Sequence, residues 1–184
     1  MYRGDGVNMN LTETLRLTEW IKENRHLLKP PVGNKCIWPQ QDFIVMAVGG
    51  PNERTDFHVN RGDEFFYQVE GDMTLKIRTP EAEFKDVKIR QGDIYLLPGG
   101  TPHSPQRPAN TIGIVIERRR QAGELDGLQW FCEKCGEKLY EEFFKLENIE
   151  TQFKAVFDRY YDSEHTKCKQ CGTVNGRKWT HAKN

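Results

Sequence analysis

No stretch of this chain approaches the eighteen or so consecutive apolar residues that a membrane-spanning helix needs, so no membrane span and no membrane partner are expected. The first residues, Met1-Tyr2-Arg3-Gly4-Asp5, lack the apolar core of a signal peptide, which makes a cytoplasmic location the default. Neither sign of charge is in excess. The 27 Lys and Arg are matched by 27 Asp and Glu, which argues against a general nucleic-acid coat or an acidic solvating tail. There is no internal repeat and no low-complexity tract, and 11% aromatic residues with balanced charge do not fit global disorder. A length of 184 residues suits one sizeable core, or one core with a small satellite.

Cysteine is scarce, but four of the five cysteines are placed in pairs. Cys132-Glu-Lys-Cys135-Gly136 and Cys168-Lys-Gln-Cys171-Gly172 each set two thiols three positions apart, with a glycine that lets the backbone turn beneath them. Two such knuckles supply four thiolates for one tetrahedral ion, Zn²⁺ or a rubredoxin-type iron. The competing reading is two disulfides or a redox pair, and a cytosolic setting and the doubled spacing weigh against it. With all four ligand positions filled by protein, the site reads as a structural clip. The mildly basic tail around it (Lys167, Lys169, Arg177, Lys178, Lys183) lacks interleaved aromatics and arginines, so no nucleic-acid partner is expected. Cys36 stands alone and reads as an ordinary buried thiol.

Residues 10–28 carry an apolar stripe at helical spacing, with Asn10 and Glu13 as a capping pair and Pro30-Pro31 as the stop. From Cys36 to about Glu117 the texture changes to short apolar runs: Phe43–Val48, Glu64–Val69, Met73–Arg78, Phe84–Arg90, Ile94–Leu97 and Thr111–Glu117. Turns rich in Gly, Pro and Asp separate them. Many short strands with no long helix between them indicate an all-β sandwich or barrel. Arg118-Arg119-Arg120 and the following glycines mark a boundary, and residues 148–161 form a second helix candidate. The expected division is a helical arm at 1–33, a β domain at 34–125 and a cysteine-bearing extension at 126–184.

Two histidines lie in suggestive settings. His58 is followed six residues later by Glu64, and His103 ends the run Pro98-Gly99-Gly100-Thr101-Pro102-His103. In a rolled antiparallel sheet these three could meet as a two-histidine, one-carboxylate face for Fe²⁺, with positions open for a substrate and O₂. On spacing alone, polar loop histidines and a surface acid fit as well.

The motifs tip this balance. Gly92, Pro98, Gly100 and His103 fall at the spacing of the second cupin motif, and Glu64 with Gly71 matches the later part of the first. The first motif departs where many cupins carry a second histidine, because His58-Val59-Asn60 stands there, and Arg107 replaces a frequent asparagine. Over residues 8–180 the chain resembles the short bacterial and fungal form of the 3-hydroxyanthranilate 3,4-dioxygenases. The resemblance rests on Asn34-Lys35, Arg54-Thr55-Asp56-Phe57-His58, Glu64-Phe65-Phe66-Tyr67-Gln68, Leu97 to Arg107, Glu117-Arg118 and the two knuckles.

The resemblance implies a cupin fold, a double-stranded β-helix or jelly-roll barrel, with an N-terminal helix and a small helical extension holding the four-cysteine site. It implies Fe²⁺ on His58, Glu64 and His103, and a second Fe or Zn ion on Cys132, Cys135, Cys168 and Cys171. Substrate contacts would come from Asn34, Arg54, Glu64, Arg107 and Glu117, with Arg54 and Glu117 catalytic. The implied reaction opens the ring of a small aromatic amino acid with O₂, in tryptophan breakdown and NAD synthesis, and the family is usually dimeric.

Overall fold

Alternation of apolar and polar residues produces most of the strands. The computed structural model describes residues 12–29, 33–39, 41–147 and 152–176. Its strands are β1 (Asn34–Cys36), β2 (Phe43–Gly49), β3 (Asp56–Val59), β4 (Glu64–Glu70), β5 (Met73–Arg78), β6 (Phe84–Ile89), β7 (Ile94–Leu97), β8 (His103–Gln106), β9 (Ile112–Arg118), β10 (Asp126–Phe131) and β11 (Lys138–Phe144). Helix α1 (Leu17–Asn24) runs into a 3₁₀ turn at Arg25–Leu28, and helix α2 (Gln152–Tyr161) lies near the C-terminal end of the described chain. None of these helices is long and apolar enough to cross a membrane.

Two antiparallel sheets result. One has the order β1-β2-β9-β4-β7 and the other β11-β10-β3-β8-β5-β6. Their inner faces share a core of Met46, Phe66, Leu97 and Val115 from the first sheet with Met73, Leu75, Ile77 and Ile89 from the second. The expected closed jelly-roll barrel is not what forms. Both sheets stay open, and among the described residues no strand ladder joins an edge of one to an edge of the other. Alternation reports only that a strand buries one face; closure depends on hydrogen bonding at the edges. Here those edges are blunt. β7 has four residues and β1 three, while β6 carries Lys85, Asp86 and Lys88. The fold is therefore mostly β, two open sheets with flanking helices.

The flanking helices cover different faces. Leu17, Trp20, Ile21 and Leu28 pack on the outer face of the first sheet, over Ala47, Ile112 and Ile114. Helix α1 is shorter than the stripe over 10–28 suggests. It begins at Leu17, after Arg16, which makes no side-chain cap, and residues 12–16 are not helical. Asn10, Pro30 and Pro31 lie outside the described residues. Helix α2 packs Phe153, Val156, Phe157 and Tyr160 against Leu128 and Trp130 of β10, with Trp130 and Tyr160 stacked at 4.4 Å. Ile149 of the expected stripe lies outside the described residues. The segment after residue 125 is not chiefly helical, because β10 and β11 extend the second sheet beyond β3.

Leu75 is fully buried between the sheets. Leu75→Ala is expected to cost about 2–5 kcal/mol, the usual range for a core cavity. Urea unfolding checks this, and a loss below roughly 1 kcal/mol would mean that the two inner faces collapse onto each other freely.

Candidate active site

Cross-strand register brings the polar residues together. On the inner face of the first sheet, Ile44, Glu117, Glu64 and Leu97 form one row across β2, β9, β4 and β7. The next inner row holds Cys36, Met46, Val115, Phe66 and Tyr95, and the next Asn34, Val48, Gly113 and Gln68. On the second sheet His58 of β3 sits directly opposite His103 of β8. The two histidines thus face the Glu64–Glu117 row across the core.

His58, Glu64 and His103 are all buried, and one ligand atom from each lies within 4.8 Å of the others. Glu64 Oε1 is 3.4 Å from His103 Nε2 and 3.8 Å from His58 Nδ1. Groups outside the cluster set both imidazoles. His58 Nε2 lies 2.7 Å from Asp126 Oδ2. An ionised carboxylate only accepts, so Nε2 donates and the Nδ1 lone pair faces Glu64. His103 Nδ1 likewise donates to the Thr101 carbonyl at 3.0 Å, which leaves Nε2 aimed at Glu64. This is the arrangement of a metal-ligating histidine oriented by a second partner. Three converging lone-pair donors at nearly the spacing of one face of an octahedron (about 3 Å for ligand bonds near 2.1 Å) fit Fe²⁺.

Burial alone pushes Glu64 upward, but the charge and hydrogen bond of His103 and the charge of His58 win and hold it at about 2. Burial works against a charged His103 too, and Glu64 outweighs it, so its pKa is raised. Asn60 donates from Nδ2 to Glu64 Oε1 at 2.8 Å and to Glu117 Oε2 at 2.9 Å. One amide thereby bridges two buried acids. Glu117 is raised by burial and by the neighbouring charge of Glu64, although Arg120 opposes this.

The other expected residues divide. Arg107 is 1% exposed, and its only hydrogen-bond partner among the described side chains is Gln68 Oε1 at 2.9 Å. Its Nε has no partner, and burial draws it down to about 10. It makes no ion pair among the described residues, and it lies over Gly113, where a Cβ would come within 2.7 Å of Nη1. Asn34 belongs to the same inner row as Gly113 and Gln68. Arg54 is already engaged. Its guanidinium forks onto Asp56, with Nε 2.8 Å from Oδ1, and lies over Phe153 and Phe157 at 5.5 and 5.6 Å. It also borders a cleft of about 510 Å³ on the outer face, beside Phe57, Ser104 and Gln106. Asp126, Arg120 and Asn60 were not among the expected site residues. The nearest signals were the Arg118–Arg120 run, which reads as a solvated boundary, and the missing second histidine at Asn60.

The four cysteines also converge. Their sulfurs lie within 4.8 Å of one another, with Cys132–Cys171 at 3.5 Å and Cys135–Cys168 at 3.6 Å. These distances exceed a disulfide bond of about 2.05 Å and approach the roughly 3.8 Å edge of a tetrahedral zinc–thiolate site. The two knuckles repeat one geometry. Gly136 N donates to Cys132 O and Gly172 N to Cys168 O, both at 2.9 Å, and both glycines have positive φ, 74° and 72°. Cys36 is only half-buried, against the edge of the core.

Two histidines and one carboxylate, converging and buried behind an apolar wall, define a mononuclear non-haem iron oxygenase. A family model described as 3-hydroxyanthranilic acid dioxygenase matches residues 9–161, and the chain belongs to that family, within the cupin superfamily. A protein of Xanthomonas euvesicatoria pv. vesicatoria (strain 85-10) called 3-hydroxyanthranilate 3,4-dioxygenase is 57% identical over 167 residues, 90% of this chain and 93% of that one. Relatives of the same name in Podospora anserina and Neurospora crassa are 47% and 44% identical. They cover 89% of this chain and 90% and 91% of their own lengths.

His58→Ala and His103→Ala are expected to abolish iron at the triad while the cysteine site keeps its metal, as metal analysis of each purified variant would show. Protons compete for the same lone pairs, and the raised His103 pKa extends that competition above the ordinary 6.5. Triad affinity should therefore rise with pH through and beyond that value. A pH-independent binding isotherm would remove His103 from the ligand set.

Proposed function

We infer that this chain is an Fe²⁺-dependent dioxygenase that opens the ring of 3-hydroxyanthranilate with O₂, giving 2-amino-3-carboxymuconate semialdehyde in the kynurenine route to quinolinate and NAD. One observation carries the reading beyond family membership. A buried guanidinium without a carboxylate partner among the described residues, Arg107, faces the same core as the triad, at the far end of an apolar band.

The dimensions suit a planar aromatic acid. Glu64 and Gln68 are four residues apart on β4, which is about 13 Å of strand. Met46, Val115 and Phe66 lie between these two rows. A ring seated on that band places its carboxylate toward Arg107 and its hydroxyl and amine toward Glu64. The Arg107 fork, short of partners, can bind the carboxylate through two parallel hydrogen bonds. Gln68 holds Arg107 from the side, and Asn34 closes the same row.

Bound ferrous iron would bring ring and O₂ to one centre able to pass electrons between them. The protein handles the proton. Glu117, raised by burial and next to Glu64, is suited to accept the substrate hydroxyl proton near neutral pH. Arg54 is held by Asp56 above the ring edge of Phe153, where it can donate to oxygen on the mouth side of the substrate. The apolar wall excludes water from the intermediate stages. The same reading includes a cytoplasmic homodimer with no nucleic-acid partner, the division at residues 33/34 and 125/126, and a remote Fe or Zn ion on the cysteines. Balanced charge supports the lack of a nucleic-acid partner, and the four converging sulfurs support the remote metal.

Anaerobically iron-loaded protein is expected to consume O₂ and 3-hydroxyanthranilate one to one, forming a product that absorbs in the near ultraviolet. No uptake by fully loaded protein would exclude the reading. Arg107→Ala should raise KM by about 10- to 100-fold, the worth of a charge-assisted hydrogen bond. Gly113→Ala should push Arg107 aside and move KM in the same direction, with iron content unchanged in both. Glu117→Gln should lower kcat by roughly 100-fold with little change in KM; a wild-type rate would remove its proton-accepting role.

A further inference from the structure

Arg120 stands at the end of a three-arginine run, yet its side chain is only 12% exposed. Its Nε and Nη2 fork onto Asp126 at 2.8 and 2.6 Å. Its Nη1 lies 2.9 Å from Glu117 Oε1, an ion pair poorly aligned for a hydrogen bond. Asp126 is fully buried and is the carboxylate that receives the His58 Nε2 proton. Asn60 holds the other oxygen of Glu117. One guanidinium therefore touches both the group that orients a triad ligand and the group proposed to take the substrate proton.

We propose that Arg120 is a positioning residue that sets the His58 ligand direction, through Asp126, and the place of Glu117, in one conformation. The proposal rests on the dioxygenase reading for the role of Glu117, but not for the role of Asp126. Arginine is suited to this because its planar fork offers donors on two edges, whereas a lysine ammonium is a compact point charge that cannot span both carboxylates in the same way. A residue serving only to neutralise buried acids would be replaceable by lysine with a loss of stability alone.

The test uses the full chain, with Arg120→Lys, Asp126→Asn and the double variant, each titrated with Fe²⁺ under anaerobic conditions. Each single substitution should weaken triad binding by about 10- to 100-fold, the usual effect of losing the partner of a ligating histidine. The double variant should bind no more weakly than Asp126→Asn, because Arg120 acts on iron through Asp126. The cysteine-site metal content should not change. At saturating iron, Arg120→Lys should have kcat lowered by at least about 10-fold with KM within about twofold, whereas Asp126→Asn should keep most of its kcat. Wild-type iron affinity in Arg120→Lys, or additive losses in the double variant, would overturn the proposal. Should Arg120→Lys fail to accumulate folded, Asp126→Asn decides the link by itself, and wild-type iron affinity in that variant would overturn the proposal. An iron-loaded wild type that leaves 3-hydroxyanthranilate untouched would end the dioxygenase reading, and the affinity measurements would still decide the link from Arg120 to His58.

Discussion

Four carboxylates, Asp56, Glu64, Glu117 and Asp126, lie almost wholly out of water around two histidines, and a charged or hydrogen-bonding partner stands against each of them. Uncompensated, each would cost several kcal/mol to bury. Arg54 answers Asp56, and Arg120 answers Asp126 and Glu117 together. Glu64 is left to the histidines, which hold it at about 2 against the pull of burial, while Glu117 is pushed up by burial and by the charge of Glu64. Arg107 stands apart from these pairs, with no acid of its own among the described residues.

Register turns that set of charges into geometry. Because paired residues in antiparallel strands share a face, Glu64 and Glu117 are neighbours by virtue of the β4–β9 ladder, and His58 and His103 by virtue of the β3–β8 pairing. A slip of one residue on any of these strands would turn its functional side chain outward. The large apolar residues between the rows do more than fill the core. They pack the two inner faces together and so fix the register on which the ligand distances depend.

The sequence was most legible where it was most ordinary. The runs from Phe43, Glu64, Met73, Phe84, Ile94 and Thr111 correspond to β2, β4, β5, β6, β7 and β9 within a residue or so at each end. The strands bearing His58 and His103 escaped notice because polar residues interrupt the apolar alternation that marks a strand, and β10 escaped it because Asp126 and Gly127 open a strand buried on both faces, although Leu128 and Trp130 share the face of Asp126. Function therefore hid the elements that carry it, and only the motif resemblance recovered His58 and His103. Arg120 was missed for a related reason. Three consecutive arginines look solvated, and nothing local reveals that the third one meets two buried acids. Open sheets in place of a closed barrel could not be read either, since edge pairing leaves no trace in alternation.

The cysteine clip acts on the site at one remove. Its first knuckle ends β10, the strand that carries Asp126, and its second follows α2, whose Phe153 ring stands 5.2 Å from His58 and lies under Arg54. A metal on the four sulfurs ties the two ends of this unit together. Yet the unit is also held by the Trp130–Tyr160 stack and by the ladder between β10 and β3, neither of which needs the sulfurs. Asp126 and His58 belong to that ladder's strands, and so does Asp56, which holds the Arg54 guanidinium, while α2 adds only the rings of Phe153 and Phe157 beside it. Loss of the clip metal would therefore act first on α2 and the rings it places, Phe153 and Phe157, while the histidines, Asp126 and the Arg54–Asp56 pair stay fixed by the β3–β10 ladder.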